Sequence, residues 1–232
     1  MDIAAQAGAC SVVAVCGLAI EARIAAGPGV VTLCGTGPAR LAARLEELLA
    51  DETRAWRGII SFGIAGGLDP ALRPGACVIA DAVVTPSGRI PADALWMCAL
   101  RACLPLAIPG TLAGVDLPVT DAAAKARLWQ SSCACAVDME SHLAALAAQR
   151  HGLRFAACRV VADPAHRSLP SSATAGMRDD GRIALMPVLR TLASDPGQLP
   201  ALIRLAADAH AATRSLRAAR AHAGAAFAAP AH

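Results

Sequence analysis

Residues 57–84 read RGIISFGIAGGLDPALRPGACVIADAVV. The run 57–63 is apolar, has strand length, and leads into the glycines of Gly63-Ile64-Ala65-Gly66-Gly67, which predict a turn at a strand end. A second apolar run over 76–84 follows the turn signal Arg73-Pro74-Gly75. Neither run alternates polar with apolar, so both predict strands buried on two faces, as in a sheet covered by helices on each side.

The same grammar extends outward. SVVAVC (11–16) and VVTLC (30–34) predict strands, the second closed by Gly35-Thr36-Gly37-Pro38. A helix is expected over 39–51, with Leu41, Leu45, Leu48 and Leu49 on one face. Then follow helix 91–102, strand 106–115, helix 121–131, strand 132–137, a helix from Met139 to His151, strand 154–162, and helices 177–193 and 197–221. This alternation predicts an α/β fold: a single domain with a mixed central sheet covered by helices on both faces. Ligands of such folds sit at the carboxyl ends of strands. Residues 1–200 are expected to form the catalytic domain, and 201–232 a basic, Ala-rich helix whose last residues, AGAAFAAPAH, fray.

Composition narrows the classes. With no Tyr, three Phe and three Trp, the chain lacks the stacking platforms of a single-strand nucleic-acid binder, so no nucleic-acid partner is expected. The net charge of +3 belongs to residues 201–232, where Arg204, Arg214, Arg217 and Arg220 face only Asp208. A solvated helix face is the plainer reading of that excess. A weak attraction to an anionic membrane surface, peripheral to an inner membrane, is the sharper one. Nine cysteines, most in apolar runs, include no CxxC pair and no Cys/His zinc spacing, so no metal is expected and a reducing, cytoplasmic setting fits. Apolar runs are too short for a membrane span, and the N-terminus lacks the pattern of a signal segment.

Four features at strand ends carry candidate chemistry. Asp163, in RVVADPAHRSLP, follows a buried strand. As a turn residue it is ordinary, but as a positioned acid it could protonate a purine, because a neutral base leaves far more readily than its anion. In Asp138-Met139-Glu140-Ser141 the carboxylates would suit a helix's first turn. Glu140 could also accept hydrogen bonds from both hydroxyls of a ribose diol and stabilise positive charge on the sugar, with Met139 as an apolar contact. Glu21, in CGLAIEARI, is a helix-start acid or a base that activates water on the sugar face opposite the purine. The glycine turns 35–37 and 63–67 allow backbone N–H groups to approach an anion or sugar, and neither matches a dinucleotide or P-loop pattern.

Together these stretches resemble the nucleoside phosphorylase superfamily over about residues 11–193. SFGIAGGLDPALRPGACVIADAVV is similar to its sugar and nucleophile loop, AVDMESHLAALAA to its ribose-binding helix start, and RVVADPA to its purine-protonating loop. Among its members the likeness is greatest to hopanoid-associated phosphorylases, which act on adenosylhopane and release adenine. The resemblance implies cleavage of a purine N-glycosidic bond, without a cofactor, with phosphate as a co-substrate if the reaction is phosphorolytic. It implies a purine nucleoside bearing a hopane group as substrate, and a homo-oligomer.

Carried over by position, Asp163 is the purine acid, Glu140 the diol binder and Met139 the sugar contact, while Glu21 matches the early catalytic Glu to within one residue. Asp138, Ile64, Ala65 and Gly66 are expected to line the site, with Leu117 or Pro118 where relatives place a stacking aromatic. Ser61 and Ile64 stand where phosphorolytic relatives hold phosphate with Arg and Ser, which leaves water or phosphate open as nucleophile. Arg23, Arg40 and Arg89 are candidates for replacement charge. A 5′-methylthioadenosine/S-adenosylhomocysteine-type nucleosidase and a catalytically impaired nucleoside-binding protein are the alternatives.

Overall fold

The computed structural model describes residues 11–35, 37–169, 197 and 199–231. The expected helix 177–193 lies outside these residues. Eight strands build one mixed sheet: β1 (Ser11–Cys16), β2 (Val30–Cys34), β3 (Trp56–Gly67), β4 (Cys77–Thr85), β5 (Gly88–Pro91), β6 (Ile108–Gly114), β7 (Ala136–Asp138) and β8 (Arg154–Asp163). The path β2-β1-β3-β7-β6-β4-β5 is closed on itself by β8, which pairs parallel with β3 and antiparallel with β4. β3 is the axis of the fold, because β1, β8 and β7 all pair with it.

The apolar runs of β1, β3, β4 and β8 are largely buried on both faces, as their lack of polar alternation requires, whereas β2 at the sheet edge is only partly buried. Val13 and Val15 of β1 point into a cluster with Leu41, Leu45 and Leu49 of α2 (Pro38–Leu49) and Ala144, Ala145 and Ala148 of α5 (Ser141–Arg150). Val12, Ala14 and Cys16 point the other way, into a cluster with Trp96 and Leu100 of α3 (Ala94–Cys103) and Ala212, Leu216 and Ala219 of α6 (Leu199–Ala223). Small Ala side chains on α5 and α6 allow close approach to the sheet. Two further helices, α1 (Ala19–Ala25) and α4 (Ala122–Ser132), follow β1 and β6 and bring their first turns towards the strand ends. Among the described residues no helix is long and apolar enough to cross a membrane.

Three local expectations are corrected. Residues 63–67 are no turn: β3 continues to Gly67, with a bulge between Ala65 and Gly66, and none of Gly63, Gly66 and Gly67 has positive φ. Their small size serves close approach by other side chains. The strand expected over 132–137 is only Ala136–Asp138, because α4 runs to Ser132 and ends on a left-handed Cys133 at φ 54°. The C-terminal residues, expected to fray, are packed. Phe227 is fully buried, its ring centroid 4.8 Å from that of Phe62 and 4.6 Å from the Arg220 guanidinium carbon, and its carbonyl accepts from Trp96 Nε1 at 2.9 Å. One aromatic among small residues can plug a hole that the Ala-rich helices leave.

Candidate active site

A cavity of about 180 Å³ opens where β1, β3, β7 and β8 end. Glu21, Ile64, Ala65, Gly66, Pro118, Asp138, Met139, Glu140 and Asp163 all line it. Asp163 and Glu140, the two acids singled out in the sequence, both border this one cavity. Leu117 is the exception: it is 77% exposed and faces an adjoining apolar depression of about 520 Å³, which shares Val115 and Val119 with the cavity wall. Pro118 holds the inward position, so of the two candidates only it borders the cavity. Gly35 and Gly37 lie elsewhere.

Glu21 projects from the first turn of α1 and is 2% exposed. Its Oε2 accepts from the amides of Gly17 and Leu18, and its Oε1 from that of Ile64, each at 2.9 Å. Burial raises its carboxyl above the usual range, against the pull of Arg159 and these three amides. Glu140 precedes α5. Burial, with the charges of Asp138 and Glu21, pushes its carboxyl up to about 8, although Arg159 opposes this. Asp163, the last residue of β8, is also raised by burial, with Lys125 pulling the other way.

Two residues central to the site escaped sequence reasoning. Arg159 of β8 is fully buried in the middle of an apolar run. Its Nη2 lies 3.1 Å from Glu140 Oε2 and donates to Ser61 Oγ at 2.5 Å, while Nη1 donates to the Ile64 carbonyl at 3.3 Å. Its Nε is 3.3 Å from Asp138 Oδ2, off the line of a hydrogen bond, so that contact is ionic. Burial would weaken its proton, but Asp138, Glu140 and Glu21 outweigh this and keep it charged. Arg23, Arg40 and Arg89 do not line the cavity; Arg89 instead pairs with Asp81 on the surface. The available signal was an Arg inside RFAACRVVAD, where a lone cation between buried neighbours needs anions. The second is Lys125 of α4, fully buried and bonded to Asp163.

Asp138 borders the cavity, yet both its oxygens are used within the protein. Oδ1 accepts from the amides of Glu140 and Ser141 at 2.9 and 2.6 Å, and Oδ2 from Ser141 Oγ at 2.5 Å. It lines the cavity as expected, and within the protein it anchors the start of α5 and balances Arg159. The glycines explain the crowding. A Cβ at Gly63 would fall 2.6 Å from Arg159 Nη1 and 2.7 Å from Glu21 Oε2, and one at Gly17 would fall 2.6 Å from Glu140 Oε1. Among the described residues no group of three His, Cys, Asp or Glu side chains could hold a metal.

Comparison with known proteins gives the family and the fold. The family model described as Phosphorylase superfamily matches residues 9–185. No curated protein sequence matches the chain. Among solved structures, the 5′-methylthioadenosine/S-adenosylhomocysteine nucleosidase of Helicobacter pylori superposes with a TM-score of 0.62 at 15% identity, over 91% of this chain and 98% of that one. S-adenosylhomocysteine nucleosidase from Streptococcus pyogenes gives a TM-score of 0.60 at 17% identity, over 69% and 87%. Futalosine hydrolase of Helicobacter pylori gives 0.58 at 15%, over 66% and 88%. These likenesses are likenesses of fold.

Proposed function

The chain belongs to the Phosphorylase superfamily, and from that premise we propose that it hydrolyses the N-glycosidic bond of a purine nucleoside. The observation that carries this reading is the convergence of Glu21, Glu140 and Asp163 on one cavity. Asp163 gives a proton to the purine ring, and the C1′–N9 bond breaks with its electron pair staying on the base. Glu140 holds the ribose diol and, in its ionised form beside Arg159, stabilises the positive charge on the sugar. Glu21 takes a proton from water as the water oxygen bonds to C1′.

Water is favoured over phosphate by where Glu21 sits. The amides of Gly17, Leu18 and Ile64 form an anion-binding nest, and the carboxylate of Glu21 fills it. Around it, one buried cation, Arg159, already faces three carboxylates: Glu21, Asp138 and Glu140. A phosphate dianion would find that nest already filled and Arg159 already partnered within the protein. For the 5′ substituent, the apolar depression beside the cavity supports a bulky apolar group, and we propose adenosylhopane as the substrate. A 5′-methylthioadenosine-type nucleoside is the second reading, favoured by the resemblance to nucleosidases that carry such names. A homo-oligomer and a weak contact of the Arg-bearing α6 with anionic membrane belong to the same proposal.

The test is to incubate the protein with adenosylhopane and with 5′-methylthioadenosine, with and without phosphate. Free adenine and a free ribosyl product, at a rate indifferent to phosphate, are expected. A phosphorylated sugar would overturn hydrolysis, and no released base from either nucleoside would overturn the function.

A further inference from the structure

Lys125 takes no part in the chemistry assigned above, yet it is the most deeply buried cation beside the acid that does. α4 begins on an Asp121 cap, whose side chain accepts from Ala124 N at 2.9 Å. One turn on, Lys125 points inward with no exposed surface. Its Nζ spends three N–H donors on three acceptors: Asp163 Oδ2, the Pro164 carbonyl at 3.2 Å and the Arg167 carbonyl at 3.0 Å. The loop after β8 is stitched to the same helix start, by Leu169 N to Thr120 O at 2.8 Å and Ala122 N to Ser168 Oγ at 3.0 Å. Among the described residues Asp163 Oδ1 accepts no hydrogen bond, so it is the oxygen left for a ligand.

A buried ion pair adds little net stability, since desolvation consumes most of its attraction. Its effect here falls on the acid. We propose that Lys125 is a positioning residue for purine departure: it fixes Asp163 with Oδ1 towards the cavity and makes that carboxyl a stronger acid at the moment its proton leaves. This rests on the purine nucleosidase reading. When the Oδ1–H bond breaks and the N7–H bond forms, negative charge appears on Asp163 beside the ammonium, which attracts the ionised carboxyl more than the neutral one. Burial keeps the carboxyl raised and Lys125 pulls it back. The other charges facing it are Arg167 of the loop and Asp208 of α6, which pair with each other. The result is an acid poised nearer the working pH than burial alone would leave it.

The experiment compares the full-length wild type with Lys125→Met, Lys125→Gln and Lys125→Arg. Substrates are whichever of adenosylhopane and 5′-methylthioadenosine the wild type cleaves, and the N7-methylated cation of that nucleoside, whose base leaves without protonation. For Met and Gln, kcat on the neutral nucleoside should fall at least about tenfold more than on the cation. The alkaline limb of kcat/KM should move up by at least about one pH unit, because an acid without its cation holds its proton longer. Arg should return the limb to its wild-type position. Equal losses on both substrates with an unmoved limb would make Lys125 merely structural and overturn the proposal. Gln, which keeps a donor for Asp163, serves if Met fails to fold. A wild type that releases adenine from neither adenosylhopane nor 5′-methylthioadenosine refutes the nucleosidase reading itself, a result distinct from any of these.

Discussion

Arg159 Nη2 lies 3.1 Å from Glu140 Oε2, and the guanidinium has no exposed surface. That contact joins the strand that ends on Asp163 to the helix start at Glu140. Arg159 is also the cation that lets Glu21, Asp138 and Glu140 share a small volume. Arg159→Met should therefore destabilise the fold by about 3–5 kcal/mol, the cost of leaving buried carboxylates without a partner. Urea unfolding measures this. Arg159→Lys should lie between, because a point charge cannot serve the separate contacts of a guanidinium. A Met variant as stable as wild type would show that the carboxylates need no cation.

Stability should fall as pH rises, because of Glu140. Its carboxyl stands at about 8 in the folded chain and near 4.3 when unfolded. Between those values the folded state holds a proton that the unfolded state has released, so each step up in pH favours unfolding. The favourable contribution is complete below the lower value and gone above the higher. Thermal melts from pH 5 to 9 should thus slope downward in wild type and less so in Glu140→Gln, at about 2–4 °C per kcal/mol of the difference. Parallel slopes would exclude Glu140 as the source.

For Glu21→Gln we expect a rate lower by about 10²–10⁴ on any purine nucleoside that the wild type cleaves, the usual worth of a general base. Stability should fall too, by about 1–3 kcal/mol. The amide nitrogen would face the N–H groups of Gly17 and Leu18, or that of Ile64, donor against donor. Purine release followed by absorbance, alongside a melt, separates the two effects. Unaltered turnover would remove Glu21 from the chemistry.

Phe227→Ala tests the packed C-terminus. The side chain is fully buried, in contact with Phe62 and Arg220. Its loss should cost about 3–5 kcal/mol and expose Trp96, whose Nε1 now donates to the Phe227 carbonyl. Trp fluorescence and chemical denaturation report both. A change below about 0.5 kcal/mol, typical of surface sites, would return this segment to the frayed state its composition suggests.

The chain's apolar runs and glycine signals were enough to determine an α/β sheet buried on both faces, and the order of its acids was enough to place Asp163, Glu140 and Glu21 at strand ends. Periodicity and strand-end logic are local, and they carried that far. Arg159 and Lys125 could not be read the same way. A cation in a strand or on an Ala-rich helix looks solvated until the sheet closes through β8 and sets carboxylates within 3–4 Å of the guanidinium. Likewise the glycines at 63–67 look like a turn until Arg159 and Glu21 are seen to need the space where a Cβ would stand. Which charges neutralise one another depends on distances between elements far apart in the chain, and only the packed tertiary structure sets those.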